Sequence, residues 1–323
     1  MGEAVFVARH GGPEVLELRE HDPGAPRAGQ ARVRVAAAGV NFIDTYLRTG
    51  AYPRSTPFVL GLEGAGVVEA VGEGCSLAIG ARVAWAQGGG SYATHVVLPE
   101  AALVTVPDAV ELSVGAAAML QGMTAHYLVH GVRQSRAGEV ALVHAAAGGT
   151  GQLLVQLLKA AGVRVIATCS SEEKARIARA RGADEVVRYD EVDFAPEVKR
   201  LSGGRGVDVA YDSVGKTTFD GSLASVRPRG LLVLFGQASG AVPPFDLQRL
   251  NQAGGLFVTR PSLAHYTATR AELIERSSAV LSAVQTGALQ VAISHRFPLE
   301  QAQQAHRVLE GRQSLGKVLL SVG

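Results

Sequence analysis

Apolar positions follow two rhythms along this chain. In the first hundred or so residues they come in short alternating runs. Ala31 to Ala37 reads Ala-Arg-Val-Arg-Val-Ala-Ala, and Gly61 to Gly72 sets Val67, Val68 and Val71 among glycines. A period of two places successive side chains on opposite faces of a strand, and glycine serves the turns, so an all-β leaning module is expected. From about Glu139 the rhythm changes. An apolar strand is expected at Val140 to Ala145, then a glycine turn, then a helix with Leu153, Leu154, Leu157 and Leu158 on one face. Further strands are expected at Val163 to Thr168, Glu185 to Tyr189, Val207 to Tyr211, Leu231 to Phe235 and Leu256 to Thr259, with a helix from about Ser171 to Arg181. Strands alternating with helices require right-handed crossovers, which predicts an α/β fold with a doubly wound parallel sheet. A helix at Leu299 to Glu310 and a strand at Val318 to Leu320 follow the sixth strand and most simply return to the first module.

Composition narrows the function classes. The 323 residues amount to about two domains. At 47% hydrophobic and 19% charged, disorder, a collagen-like repeat and a disulfide miniprotein are excluded. The 31 Lys and Arg against 29 Asp and Glu give a charge of +2, too little field to expect an obligate nucleic-acid partner. Cys75 and Cys169 are the only cysteines and stand in no Cys-x-x-Cys spacing, so a reducing, cytoplasmic setting is expected. The N-terminal apolar run covers only Ala4 to Ala8, and Phe6 stands where a myristoylation motif wants Ser or Thr, so neither export nor a membrane anchor is expected.

The glycine turn carries the first chemistry. Ala145-Ala-Ala-Gly-Gly-Thr-Gly151 lies between an expected strand and an expected helix. There, small residues let backbone N–H groups approach a pyrophosphate at the positive helix end. In register with G-x-G-x-x-G, Ala146 replaces the first glycine, leaving Ala147, Gly148, Gly149, Thr150 and Gly151 as the cofactor turn. An NAD site places Asp or Glu about twenty residues further on, at the end of the second strand. Here that end reads Thr168-Cys-Ser-Ser171, with no carboxylate, and Lys174 follows within a turn. Ser170 and Lys174 therefore suit a 2′-phosphate. The same stretch, Ser170-Ser-Glu-Glu173, also fits a helix capping box with Lys174 in solvent, and both readings stand.

Three ordered motifs, Gly39-Val-Asn-Phe-Ile-Asp-Thr-Tyr46, Ala145 to Gly151 and Phe257-Val-Thr-Arg-Pro-Ser-Leu263, resemble those of the NADPH:quinone oxidoreductases. These are the zinc-free, zeta-crystallin-like branch of the medium-chain dehydrogenases, and the resemblance covers nearly the whole chain. It implies a GroES-like, β-barrel-type catalytic domain at 1–121, completed by 261–323, around a Rossmann NADPH-binding domain at 122–260. It also implies a cofactor held in the intervening cleft and a homo-oligomer, a dimer being favoured. Zinc-containing relatives carry ligands where Asn41, Leu62 and Gln121 stand here, and their four-cysteine lobe is absent near Gln87 to Gly90. No metal is therefore expected, since leucine donates nothing and neutral amides bind Zn²⁺ poorly. The competing metal candidate is His126 with His130, spaced i, i+4, where Tyr127 replaces the glutamate of His-Glu-x-x-His.

By the same resemblance, Asn41, Asp44, Tyr46 and Tyr52 face the acceptor, Thr124 lies near the nicotinamide, and Phe235, Gly236 and Gln237 form the loop beneath it. Lys174, Tyr189 and Arg312 match the residues that grip the 2′-phosphate, and Arg260 meets a phosphate or ties the domains together. Tyr46 and Tyr52 could stack on a flat acceptor or pack as half-buried side chains. Asn41 could bond substrate or ribose, and Asp44 is read as structural in preference to a base. Quinone reduction suits a metal-free site, because the hydroquinone anion has a conjugate acid near the tyrosine value of about 10 and accepts a proton from a weak donor. The expected function is NADPH-dependent reduction of a quinone. The alternatives are an NADPH-dependent reductase of α,β-unsaturated ketones or aldehydes, and a noncatalytic NADPH-binding protein.

Overall fold

Six strands of the computed structural model form one sheet, every neighbouring pair parallel. Across the sheet they run Glu185–Arg188, Arg164–Cys169, Val140–Val143, Val207–Asp212, Val226–Leu234 and Phe257–Thr259. Numbered along the chain this is the order 3-2-1-4-5-6, the doubly wound Rossmann arrangement. Its central strands are continuous apolar runs because both faces are covered: every residue of Val140–Val143 and of Val207–Asp212 is buried. Leu153, Leu154 and Leu158 of the helix Gly149–Ala160 are buried as well. The strand order reverses between Val140–Val143 and Val207–Asp212, and in such sheets ligands bind beyond the carboxyl ends of the strands at that reversal.

The structure describes residues 2–322. The chain divides into two units, Met1–Met123 with Thr267–Gly323, and Thr124–Tyr266. The first division falls inside an unbroken helix, Leu112–His130, so no linker marks it.

In the first unit a mixed seven-stranded sheet is built around the long strand Gln30–Val40, which pairs with Glu63–Val71, His95–Pro99 and Lys317–Ser321. Its core joins Val33, Val35, Val68, Val83, Trp85, Leu98, Val318 and Leu320. The C-terminal strand therefore does pair with the first module, setting Val318 opposite Val40 and Leu319 opposite Gly39.

Several elements differ from expectation. The first module is not all-β: a helix, Phe42–Thr49, starts directly after the strand Gln30–Val40. The strand expected to reach Ala145 ends at Val143, because Ala145 turns the chain with φ of 50°. Ser171 caps the helix Glu172–Ala180, its hydroxyl accepting the Lys174 N–H at 3.3 Å. The third helical position is then Lys174, so the Ser170–Glu173 capping box does not form. Among the described residues no helix is long and apolar enough to cross a membrane.

Candidate active site

The glycine turn sits at the strand reversal. Gly148 is the N-cap of the helix Gly149–Ala160, with no side chain capping its first N–H groups. A Cβ on Gly151 would stand 2.3 Å from the Ala145 carbonyl oxygen and 2.8 Å from the Ala146 Cα, so this glycine lets helix and turn touch. At Gly148 only the Ala145 oxygen lies near such a Cβ, at 3.2 Å, which leaves the approach to the helix end open. The turn is braced from behind: Gln152 Nε2 donates to the Ala147 carbonyl at 2.8 Å, and Arg181 Nε donates to Gln152 Oε1 at 2.9 Å. Open backbone donors at a helix N-terminus fit a pyrophosphate.

Strand pairing gathers the residues expected at the 2′-phosphate. Cys169 lies opposite Arg188, and the Tyr189 N–H donates to the Cys169 carbonyl at 3.1 Å, which brings Tyr189 beside Ser170. The Lys174 ammonium donates to the Ser170 hydroxyl at 3.2 Å, and Tyr189 is exposed. The nearby acid Glu172 pairs with Arg179 at 2.9 Å. The tip thus joins an ammonium and a hydroxyl without a carboxylate, a donor set suited to phosphate.

The loop Phe235–Gly240 is fixed against the turn after Val207–Asp212. Phe235 N–H donates to the Asp212 carbonyl at 2.8 Å, and a Cβ on Gly236 would meet the Ser213 oxygen at 2.4 Å. The Gln237 carbonyl accepts the Gly240 N–H at 2.9 Å. Thr124 is buried at the start of this unit. Arg260 is exposed, and its guanidinium reaches the Pro261 carbonyl at 3.5 Å. Arg312 belongs to the other unit, exposed, with φ of 57°.

In the first unit Asn41 is the hub of a buried polar cluster that sequence reading did not foresee. Its Oδ1 accepts from the Lys317 ammonium at 2.7 Å and from Gln121 Nε2 at 3.4 Å. Its Nδ2 donates to Glu63 Oε2 at 2.8 Å and to the Gly39 carbonyl at 3.3 Å. An ammonium only donates and a carboxylate only accepts, so the amide orientation is forced and all its bonding capacity is used. The choice left open for Asn41, substrate or ribose, meets a side chain already saturated by protein. Lys317 and Glu63, both fully buried, form an ion pair, and Glu63 Oε1 also accepts the Leu120 N–H at 2.6 Å. The signal for this cluster was present in Glu63 and Lys317, two charges set in apolar strands.

Asp44 points the other way from the same helix start. Its Oδ2 accepts the Asn41 backbone N–H at 2.8 Å and the Tyr92 hydroxyl at 3.1 Å, while Oδ1 has no partner. Complete burial raises its carboxyl to about 7, against the opposing pull of the Asn41 N–H, Lys317 and Tyr92. The chain continues through Tyr92 to His306 Nε2 at 3.2 Å, then from His306 Nδ1 to Arg48 at 2.9 Å, and Arg48 forks onto Glu310 at 3.0 and 2.7 Å. Tyr92 donates to Asp44, so His306 carries its proton on Nε2 and accepts from Arg48 on Nδ1. Burial, reinforced by the Arg48 charge, lowers its pKa to about 3.

Tyr46 and Tyr52 do come together. Their ring centroids are 5.2 Å apart and tilted by 56°, and the Tyr52 N–H donates to the Tyr46 carbonyl at 3.0 Å. Both are half-buried, as a surface for a flat molecule requires.

Zinc does not fit these side chains. Leu62 has no donor, and the Lys317 ammonium already occupies the inward side of Asn41. His126 and His130 have ring centroids 4.8 Å apart, but no group of three or more His, Cys, Asp or Glu among the described residues could hold a metal.

Comparison with known proteins places the whole chain in context. Residues 27–108 match the family model "Alcohol dehydrogenase GroES-like domain", and residues 149–278 match "Zinc-binding dehydrogenase". The chain is 45% identical to a quinone oxidoreductase of Pseudomonas aeruginosa over 99% of both proteins. A crystal structure of Escherichia coli quinone oxidoreductase complexed with NADPH superposes with a TM-score of 0.97 at 40% identity, covering 99% of each chain. A 2-haloacrylate reductase from a Burkholderia species is 40% identical over 98% of both.

Proposed function

The chain belongs to the quinone oxidoreductase family, and on that premise we propose that it reduces quinones at the expense of NADPH. The observation that carries this reading is the 45% identity to the Pseudomonas enzyme over 99% of both chains. When bound, NADPH supplies the hydride. The chain's own part is to bind, orient and exclude water. The N–H groups of Gly149, Thr150 and Gly151 would hold the pyrophosphate, with Ala147 behind them and Gly148 closing the turn by donating its own N–H to the Ala145 carbonyl at 2.9 Å. Ser170, Lys174 and Tyr189 would receive the 2′-phosphate, with Arg260 as a further cation of the same unit. Thr124, Phe235, Gly236 and Gln237 support the nicotinamide side.

Tyr46 and Tyr52 orient the flat acceptor. A hydroquinone anion, whose conjugate acid titrates at about 10, takes its proton from water or a weak hydroxyl donor, so no strong acid is needed. Asn41 and Asp44 act as structure, fastening the start of the helix Phe42–Thr49 that carries Tyr46. The same reading puts NADPH binding in 122–260, places the protein in the cytoplasm, and gives a homodimer, which sedimentation tests.

The 2-haloacrylate reductase at 40% identity favours a second reading, reduction of an activated alkene. There an enolate needs a donor, and Tyr52 would carry more of the work. Loss of nicotinamide absorbance with a naphthoquinone, phenanthrenequinone, an enone and 2-chloroacrylate separates the two. Quinone turnover supports the main reading, and alkene turnover without quinone turnover replaces it.

A further inference from the structure

Four buried side chains of the Thr124–Tyr266 unit form a polar chain that the mechanism above does not use. Thr168 Oγ1 lies 2.8 Å from His144 Nδ1, His144 Nε2 lies 2.9 Å from Ser222 Oγ, and Ser222 Oγ lies 2.7 Å from Asp212 Oδ2. None of the four is more than 1% exposed. Their donor order follows from chemistry. The Asp212 carboxylate accepts, so the Ser222 hydroxyl hydrogen points to it. Ser222 oxygen then accepts the Nε2–H of His144, and Nδ1 accepts the Thr168 hydroxyl. The imidazole is neutral, and burial holds its pKa below the usual range against the Asp212 charge.

What this chain joins decides its meaning. Thr168 is near the end of Arg164–Cys169, Asp212 ends Val207–Asp212, and His144 follows Val140–Val143. One ring therefore ties three adjacent strand ends at the reversal of the sheet, and through Ser222 it also ties the helix Phe219–Ser225. The glycine turn and the Ser170 tip begin at two of these points, and the Gln237 loop is tied to the third. The glycine turn starts with Ala145, whose φ of 50° is a conformation that an alanine holds only when its surroundings enforce it. Ser170 lies two residues beyond Thr168. Asp212 Oδ1 accepts the N–H groups of Val214 and Gly215 at 2.8 and 3.0 Å. The Ser213 and Val214 carbonyls in turn accept the N–H groups of Ala238 and Ser239 at 3.1 and 2.8 Å, so the Gln237 loop hangs from the same anchor.

We propose that His144 is a positioning residue for NADPH: a neutral imidazole, protonated on Nε2, that sets the spacing of the glycine turn, the Ser170 tip and the Gln237 loop. It is buried and acts through the backbone it fastens. The inference rests on the NADPH reading.

The test compares His144→Phe, which keeps the ring packed edge-on against Phe194 but drops both hydrogen bonds, with His144→Gln, which offers one donor and one acceptor. NADPH dissociation constants are measured by nicotinamide fluorescence without an acceptor, alongside Tm and kcat at saturating NADPH. Losing two buried hydrogen bonds should weaken NADPH by roughly tenfold or more in His144→Phe, with kcat held within about threefold and His144→Gln restoring most of the affinity. Should His144→Phe not fold, Ser222→Ala and Thr168→Val each break one bond of the chain and should show a smaller loss of the same kind. Variants that lower Tm and bind NADPH as the parent does would overturn the inference. A parent that binds no NADPH would overturn the cofactor reading itself, and that outcome is visible before any variant is made.

Discussion

The Lys317 ammonium donates to the side-chain oxygen of Asn41 over 2.7 Å, so a lysine from the last strand locks an amide at the start of the first helix. A fixed positive charge and a saturated amide thus stand where zinc-containing relatives carry a metal ligand.

Breaking that lock should be costly. Lys317→Met leaves Glu63 buried and unpaired, which typically destabilises by about 3–5 kcal/mol. Glu63→Gln added to Lys317→Met removes the orphaned charge and should recover part of the loss. Urea midpoints of both variants check this, and a single variant as stable as the parent contradicts it.

Metal removal should do nothing. The parent should contain no stoichiometric zinc and keep its activity after chelation. Zinc lost together with activity would show that other donors replace the three absent ligands.

Two buried groups give opposite pH dependences. Asp44 has its pKa raised by burial to about 7, so its contribution to stability is complete below about pH 4 and is lost as pH rises through 7. His306 has its pKa lowered to about 3, so its contribution is complete above about 6.5 and is lost as pH falls toward 3. Between these limits the two slopes, each up to about 1.4 kcal/mol per pH unit, oppose each other. Asp44→Asn should therefore gain on the parent as pH rises from 4 to 7, and His306→Gln should gain as pH falls. Urea midpoints across that range test the pair, and curves parallel to the parent's would refute both assignments.

The doubly wound sheet was legible because its strands, buried on both faces, read as apolar runs separated by glycine turns. The Asn41 helix was not. Asn41-Phe-Ile-Asp44 has the spacing of a helix start, yet Asn41 was read for a bond to substrate or ribose and Asp44 for pairing a backbone turn, and neither was read as a helix cap. Tertiary pairing hid the rest: Lys317 lies 276 residues from Asn41, and Tyr92 lies 214 from His306, separations that no local pattern reports. The ribose tip was half legible. Ser170 and Lys174 do meet, the ammonium donating to the hydroxyl at 3.2 Å, but the cap fell on Ser171 because its hydroxyl, not that of Ser170, reaches the Lys174 N–H.

Tyr52→Ala should separate acceptor from cofactor. The tyrosine pair is the aromatic surface assigned to the quinone, so KM for the quinone should rise and kcat/KM should fall, while the NADPH dissociation constant stays at the parent value. Equal losses in both would indicate collapse of the helix around Tyr46 and not a lost acceptor contact.

This chain should oxidise NADPH, and not NADH, with a quinone as acceptor, through a tip that offers Lys174 and Ser170 in place of a carboxylate. The measurement is kcat/KM for each cofactor at fixed naphthoquinone, in the parent and in Lys174→Ala. A charge-assisted bond to phosphate contributes about 1.5–3 kcal/mol. The parent should therefore strongly prefer NADPH, and Lys174→Ala should lose roughly ten- to a hundredfold with NADPH and little with NADH. A parent that prefers NADH, or a variant that loses both cofactors equally, would contradict the account.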